Sequence, residues 1–206
     1  MSEAKDIPDI IVGRLPLYLR ALQQLLQHNR QVTSSQELAE RLGFSAAQIR
    51  KDLSQFGEFG KQGTGYAIPE LTRCLKEILH VDRVWEMAVI GAGDVGHAVA
   101  RYNGFANRGF HVAMIFDNDP AKVGTQIGVY TVQDITLMTA AIRQAGIRVA
   151  MIAVPETHAQ SVANQLVEAG VKAILNYAPV SLSTPPDVQV QYIDPVVHLQ
   201  KMAYYL

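Results

Sequence analysis

The chain has 206 residues, 49% of them hydrophobic and 18% charged, which is enough to bury a core and to divide into two modest domains. A formal net charge of -1 gives no general attraction to nucleic acid or an anionic membrane, so any DNA contact must come from a local basic cluster. The single cysteine, Cys74, excludes an internal disulfide, no run reaches the length of a membrane span, and the N-terminal residues lack the apolar stretch of a signal peptide. A reducing cytoplasm is the expected compartment.

From Ile10 to Gln27, Ile11, Leu15, Leu19, Leu22, Leu25 and Leu26 recur at three- and four-residue steps, which predicts an amphipathic helix that Pro16 would bend. Ser34 with Glu37 three residues on forms a capping box, and Gly43 supplies the stop of a short second helix. Ser45 with Gln48 repeats the arrangement at once, so a third helix follows a tight turn. Gly57, Gly60, Gly63 and Gly65 then alternate with Phe56, Phe59 and Tyr66, predicting a two-stranded ribbon with its turn near Lys61 to Thr64. Three helices and a ribbon make a winged helix. Pro69 opens a further helix to Leu79, and the polar segment His80 to Arg83 is the expected boundary between a DNA-binding domain over 1–80 and a second domain over 81–206.

Beyond it the pattern changes. Strand-like runs at Met87 to Ile90, His111 to Phe116, Val149 to Val154 and Lys172 to Asn176 alternate with helical stretches, as βαβ units with buried parallel strands require. The fold class is therefore α/β, a winged helix-turn-helix followed by a Rossmann-like, doubly wound parallel sheet. The closing stretch, Pro195 to Leu206, is a short helix apolar on most sides, and such a helix needs a partner surface.

The strand at Met87 to Ile90 runs into Gly91-Ala92-Gly93-Asp94-Val95-Gly96, a GxGxxG loop in its required place before a helix. Gly91 permits the tight turn, Gly93 lets backbone approach a pyrophosphate, and Gly96 lets helix and strand pack closely. A second strand ends at Asp117, where a carboxylate would bond the ribose hydroxyls and repel a 2′-phosphate, favouring NAD(H) over its phosphorylated relative. Asp94 is a carboxylate inside the phosphate loop, and it is expected to cap the helix. Turning a signal on the nicotinamide's charge and planarity needs apolar neighbours, for which Val154, Pro155, Tyr177, Ala178, Pro179 and Phe105 are candidates.

No catalytic constellation stands out. His97, His111, His158 and His198 are scattered singly, and too little chain follows the boundary for a separate substrate domain. Arg50 and Lys51 instead lie on the helix after the turn, which is the element that enters a major groove. Gln48 and Arg50 are placed to read bases, Ser45 and Lys51 to bond phosphates, and Lys61 at the wing tip to reach a minor groove. Three other classes stay open on the residues alone: a nicotinamide-dependent oxidoreductase with an atypical N-terminal domain, a regulator binding CoA or another nucleotide, and a scaffold.

These segments together resemble a family. RLPLYLR (Arg14 to Arg20), IRKDLSQFGEFGKQGTGY (Ile49 to Tyr66), VIGAGDVG (Val89 to Gly96), FDNDP (Phe116 to Pro120), AVPETHAQ (Ala153 to Gln160) and ILNYAP (Ile174 to Pro179) are similar, in this order and nearly end to end, to the redox-sensing transcriptional repressor family Rex of bacteria. The resemblance implies a homodimer that represses operator DNA when free or NAD⁺-bound and releases it when NADH binds. It implies a helix-turn-helix over Tyr18 to Phe56, a C-terminal helix swapped between subunits, and redox-linked contacts at Arg14, Tyr102, which is also assigned to the cofactor site, and Asp194. Two residues depart from the family's habit: Asp94, where Asn is common, and His198, where an acidic residue is usual.

Overall fold

The computed structural model describes residues 7–60 and 65–206, and the chain divides into two compact units between Arg83 and Val84. In the first unit the expected single helix is two: α1 (Asp9–Val12) and α2 (Leu15–Gln27), separated by Gly13 and Arg14. Pro16 takes the second position of α2, where its missing N–H costs nothing, so it starts a helix instead of bending one. α2 buries Leu15, Tyr18, Leu19, Leu22 and Leu25. After β1 (Val32–Thr33) comes α3 (Ser35–Leu42), capped by Ser34, whose hydroxyl accepts the Glu37 amide at 3.1 Å, and closed by Gly43 at φ 73°. α4 (Ala46–Leu53) begins in the same way on Ser45, which accepts the Gln48 amide at 3.1 Å.

The ribbon is built differently from the sequence expectation. β2 (Tyr66–Ala67) pairs antiparallel with β1, and residues 57–60 form no strand. Gly57 and Gly60 sit at φ 142° and 79°, outside the β region, while Phe56 and Phe59 turn onto the helical core. The turn expected at Lys61 to Thr64, and Lys61 itself, lie outside the described residues. α5 (Ile68–Ile78) closes the unit, packing Ile68, Leu71 and Leu75 with α2.

The second unit alternates strands and helices: β3 (Trp85–Ile90), α6 (Asp94–Ala100), β4 (Phe110–Asp117), β5 (Gln126–Ile127), β6 (Tyr130–Asp134), α7 (Met138–Ala145), β7 (Val149–Ile152), α8 (Glu156–Ala169), β8 (Ala173–Asn176), β9 (Gln189–Tyr192) and α9 (Pro195–Ala203). Their sheet order is β5-β6-β4-β3-β7-β8-β9, parallel throughout except for the β5–β6 hairpin at one edge. Counting the parallel strands along the chain gives 3-2-1-4-5-6, the doubly wound arrangement that binds dinucleotides. Alternate residues face opposite layers. Ala88, Ile90, Ala150 and Ile152 pack with α7 and α8 through Ile142, Val162 and Leu166, and Met87, Val89 and Met151 pack with Val99 and Ala100 of α6. α9 buries none of its residues within the chain. Among the described residues, no helix is long and apolar enough to cross a membrane.

Candidate functional site

β3 and β7 lie side by side, Ile90 against Ile152, and from there the chain winds to opposite edges of the sheet. Such a switch point leaves a crevice beyond the carboxyl ends of the two strands. The crevice here is a cleft of about 680 Å³, inside the usual range of small-molecule sites, roughly 300–1,000 Å³. Its walls include Gly91, Gly93, Asp94, Val95, Asp117, Val154 and Pro155 among the expected residues, and also Asp119, Lys122, Ile135, His158, Ser161 and Gln165. Asp119 and His158 fall within the FDNDP and AVPETHAQ segments without being marked there as site residues, and Lys122, Ile135, Ser161 and Gln165 belong to none of the segments that carry the resemblance. His158, Ser161 and Gln165 do recur at helical spacing along α8, which is the one signal that shows them facing a common surface.

The phosphate loop has the geometry its glycines imply. Gly91 turns at φ 103°, a conformation that favours glycine, and its amide bonds the Phe116 carbonyl at 2.7 Å. A Cβ on Gly96 would collide with the backbone oxygen of Gly91, whereas a Cβ on Gly93 would meet nothing. Gly93 thus leaves open space in the cleft wall that a bound group can fill, and the residues present fit a pyrophosphate there. Ala92 and Gly96 are buried behind the wall, and Tyr102 and Pro179 are not among the lining residues. Asp94 does not cap. Gly93 holds the cap position, and Asp94 is the first helical residue, exposed and lining the cleft. The loop closes its turn through backbone alone, so the carboxylate has no cap to make.

Asp117 is buried, at 5% exposure. Its Oδ2 accepts the Ala92 amide at 2.6 Å and Lys122 Nζ at 3.3 Å, and its Oδ1 accepts the Asp119 amide at 2.8 Å. Burial pushes the carboxyl's pKa up, but the two amides and Lys122 outweigh burial and hold it below the ordinary carboxylate range.

In the first unit α4 turns Ala47, Arg50 and Lys51 outward, with Ser54 exposed just past its end, and buries Ile49, Asp52 and Leu53. Arg50 Nη1 donates to Ser35 Oγ at 2.9 Å, tying α4 to the start of α3. Gln48 Nε2 donates to Asp52 Oδ1 at 2.6 Å, so its amide points partly inward. Asp52 is fully buried and is held by Arg14, by the Tyr18 hydroxyl at 2.6 Å and by Gln48. Burial raises its pKa, and these three donors more than reverse the effect, leaving it below the usual range. The same contact, after burial, pushes the Tyr18 phenol up. In the sequence Asp52 reads only as a charge offsetting Arg50 and Lys51. Its place between Ile49 and Leu53 on the buried stripe is the signal that marks it as internal.

The residues to which the resemblance assigns redox-linked contacts each have a partner nearby in their own unit. Arg14 pairs with Asp52, Tyr102 stands edge-on to Phe105 with centroids 4.9 Å apart, and Asp194 caps α9 by accepting the Val196 amide at 2.9 Å.

Two protein-family models match the chain: "Putative DNA-binding protein N-terminus" over residues 6–54 and "CoA binding domain" over residues 82–180. The redox-sensing transcriptional repressor Rex of Roseiflexus sp. (strain RS-1) is 51% identical over 206 residues, 100% of this chain and 94% of that protein. Rex 1 of Thermotoga maritima is 42% identical over 202 residues, 98% of this chain and 96% of that protein. Among solved structures, RSP, a Rex-family repressor, in complex with β-NAD⁺ and operator DNA matches with a TM-score of 0.92 and 37% identity, over 97% of this chain and 92% of that one. RSP in complex with β-NADH matches at 0.88 and 35%, over 98% and 94%.

Proposed function

The chain belongs to the Rex family of redox-sensing transcriptional repressors, and we propose that it holds operator DNA while free or NAD⁺-bound and releases it when NADH occupies the cleft. The observation that carries this is the presence in one chain of an outward Arg50–Lys51 stripe on α4 and a switch-point cleft left open at Gly93.

Arg50 reads bases, while Ser45 and Lys51 bond phosphates; Ser45 keeps its hydroxyl hydrogen for this, since only its oxygen is used in the cap. Gln48 acts through Asp52, positioning the helix. Backbone amides at the start of α6 hold the pyrophosphate, and Val154 and Pro155 form an apolar wall that covers a neutral, puckered ring better than a charged, flat one. The dinucleotide serves as a signal and is not consumed. Arg14, Tyr102 and Asp194 carry the linkage between the domains over 1–80 and 81–206. Val196, Val197, Leu199 and Met202 are all more than half exposed on α9, and a second copy of the chain covers them, making the working form a homodimer. The repressor acts in the cytoplasm.

Moving an operator from mostly bound to mostly free requires about 5.5 kcal/mol of differential affinity, which a dimer gathers from two clefts. A gel shift of operator DNA, titrated with NADH at fixed NAD⁺, tests the proposal. Loss of the shifted band with NADH is expected. Equal retention of DNA with both nucleotides would overturn it.

A further inference from the structure

A carboxylate at the end of the second parallel strand is the position from which dinucleotide-binding folds usually bond the adenosine ribose, and in this chain that position is Asp117. Its carboxylate is otherwise engaged. Of about four acceptor sites on a carboxylate, three are taken by the Ala92 amide, the Asp119 amide and Lys122, and the group is almost fully buried. Asp117 therefore ties the phosphate loop to the loop that follows β4.

Asp119 is placed differently. Its side chain is 44% exposed and lines the cleft. Oδ1 accepts the Ala121 amide at 2.9 Å, while among the described residues Oδ2 has Lys122 Nζ alone, at 3.9 Å, beyond hydrogen-bond reach. Lys122 itself lines the cleft, 40% exposed, and stands between the two carboxylates. A ribose diol needs an acceptor for its hydroxyl hydrogens and a donor to its oxygens. Asp119 Oδ2 and Lys122 Nζ are a matched pair of that kind on one wall.

We propose that Asp119, with Lys122 beside it, recognises the adenosine ribose and sets the preference for an unphosphorylated dinucleotide, while Asp117 is the clamp that shapes the loop. The proposal rests on the cleft being the NAD(H) site. A 2′-phosphate would bring its charge against the half-exposed carboxylate of Asp119. With that carboxylate removed, Lys122 keeps Asp117 as its partner but faces the cleft without the half-exposed carboxylate beside it, and the preference turns over.

Dissociation constants of NADH and NADPH, measured by titration calorimetry on the full chain and on Asp119→Ala, Asp119→Ala/Lys122→Ala and Asp117→Asn, test this. Asp119→Ala is expected to weaken NADH at least tenfold and strengthen NADPH at least tenfold. The double variant is expected to lose the NADPH gain. Asp117→Asn is expected to weaken both nucleotides by the same factor and to lower the melting temperature. A ratio of NADPH to NADH affinity unchanged by Asp119→Ala, in a wild-type chain that binds NADH, overturns this proposal alone. So does a ratio moved by Asp117→Asn and not by Asp119→Ala. A wild-type chain that binds neither nucleotide overturns the proposed function with it.

Discussion

Arg14 grips both carboxylate oxygens of Asp52, Nε to Oδ2 at 2.6 Å and Nη2 to Oδ1 at 2.8 Å, across 38 residues of sequence. The pair joins the residue just ahead of α2 to the buried face of α4. Removing one partner leaves a buried charge uncompensated, which costs about 3–5 kcal/mol. Arg14→Met is therefore expected to lower the stability of the first unit by that order, read as a fall in urea midpoint with little change in slope. Tyr18→Phe, which removes one bond to a charged acceptor, is expected to cost about 1.5–3 kcal/mol.

Acid should undo the same interactions. Asp52 and Asp117 both have carboxyls held below the ordinary range, so the stability they contribute is full above the unfolded-state pKa, about 3.9, and is lost as pH falls from there through the folded values. Denaturation at pH 7, 5, 4 and 3 is expected to show a steep loss below about pH 4. The Asp52→Asn chain, already weaker at pH 7, is expected to lose less over that same window.

Arg50→Ala and Lys51→Ala should leave the fold in place, since both side chains point outward, and surface changes of this kind stay within about 0.5 kcal/mol. Each is expected to weaken operator binding. Each phosphate that a substitution leaves without its cation should reduce the slope of log K against log salt by about 0.9. Lys51→Ala should weaken all sequences alike, and Arg50→Ala should also relax preference for the operator. Binding isotherms at several salt concentrations on operator and scrambled DNA separate the two.

Gly93 and Gly96 give a contrast within one loop. A Cβ at Gly96 meets the backbone of Gly91, and one at Gly93 meets open space. Gly96→Ala is expected to destabilise the nucleotide-free protein by about 1–3 kcal/mol, while Gly93→Ala is expected to leave its melting temperature almost unchanged and to abolish the NADH-induced rise in it.

Asp94 lines the cleft at the first position of α6 without a cap to make. There it favours the helix dipole by about 0.3–1 kcal/mol and would repel a pyrophosphate bound in the cleft. Asp94→Asn is expected to tighten NADH several-fold while slightly lowering the stability of the free protein, measured by calorimetry and thermal melting side by side.

The elements with a strong local code are legible in the sequence. Ser34, Gly43 and Ser45 mark the helix-turn-helix because each supplies a cap the backbone must have. The four apolar runs of the parallel sheet are readable because central strands are buried on both faces. β6 and β9 are not, the first being half-buried and the second an exposed edge with glutamines on either side of Val190, so neither carries a continuous apolar signature. The phosphate loop is readable as a motif, but the direction of the Asp94 and Asp117 side chains is not. Asp117 is turned by the Ala92 amide, 25 residues away in sequence, as well as by the nearby Asp119 amide, and Asp94 is left in the cleft because Gly93 takes the cap position.

The buried carboxylate of Asp52 has a mechanical consequence. A helix whose inner face carries an ionised group gripped by Arg14 and Tyr18 of another element cannot roll or slide by even one residue without parting that grip in a dry interior. Helices α2 and α4 are cross-braced, and a load applied at either one displaces the pair together. Any movement that keeps Arg14 on Asp52 therefore carries α2 and α4 as one piece, and only a movement that parts the pair can turn the outward face of α4 relative to α2.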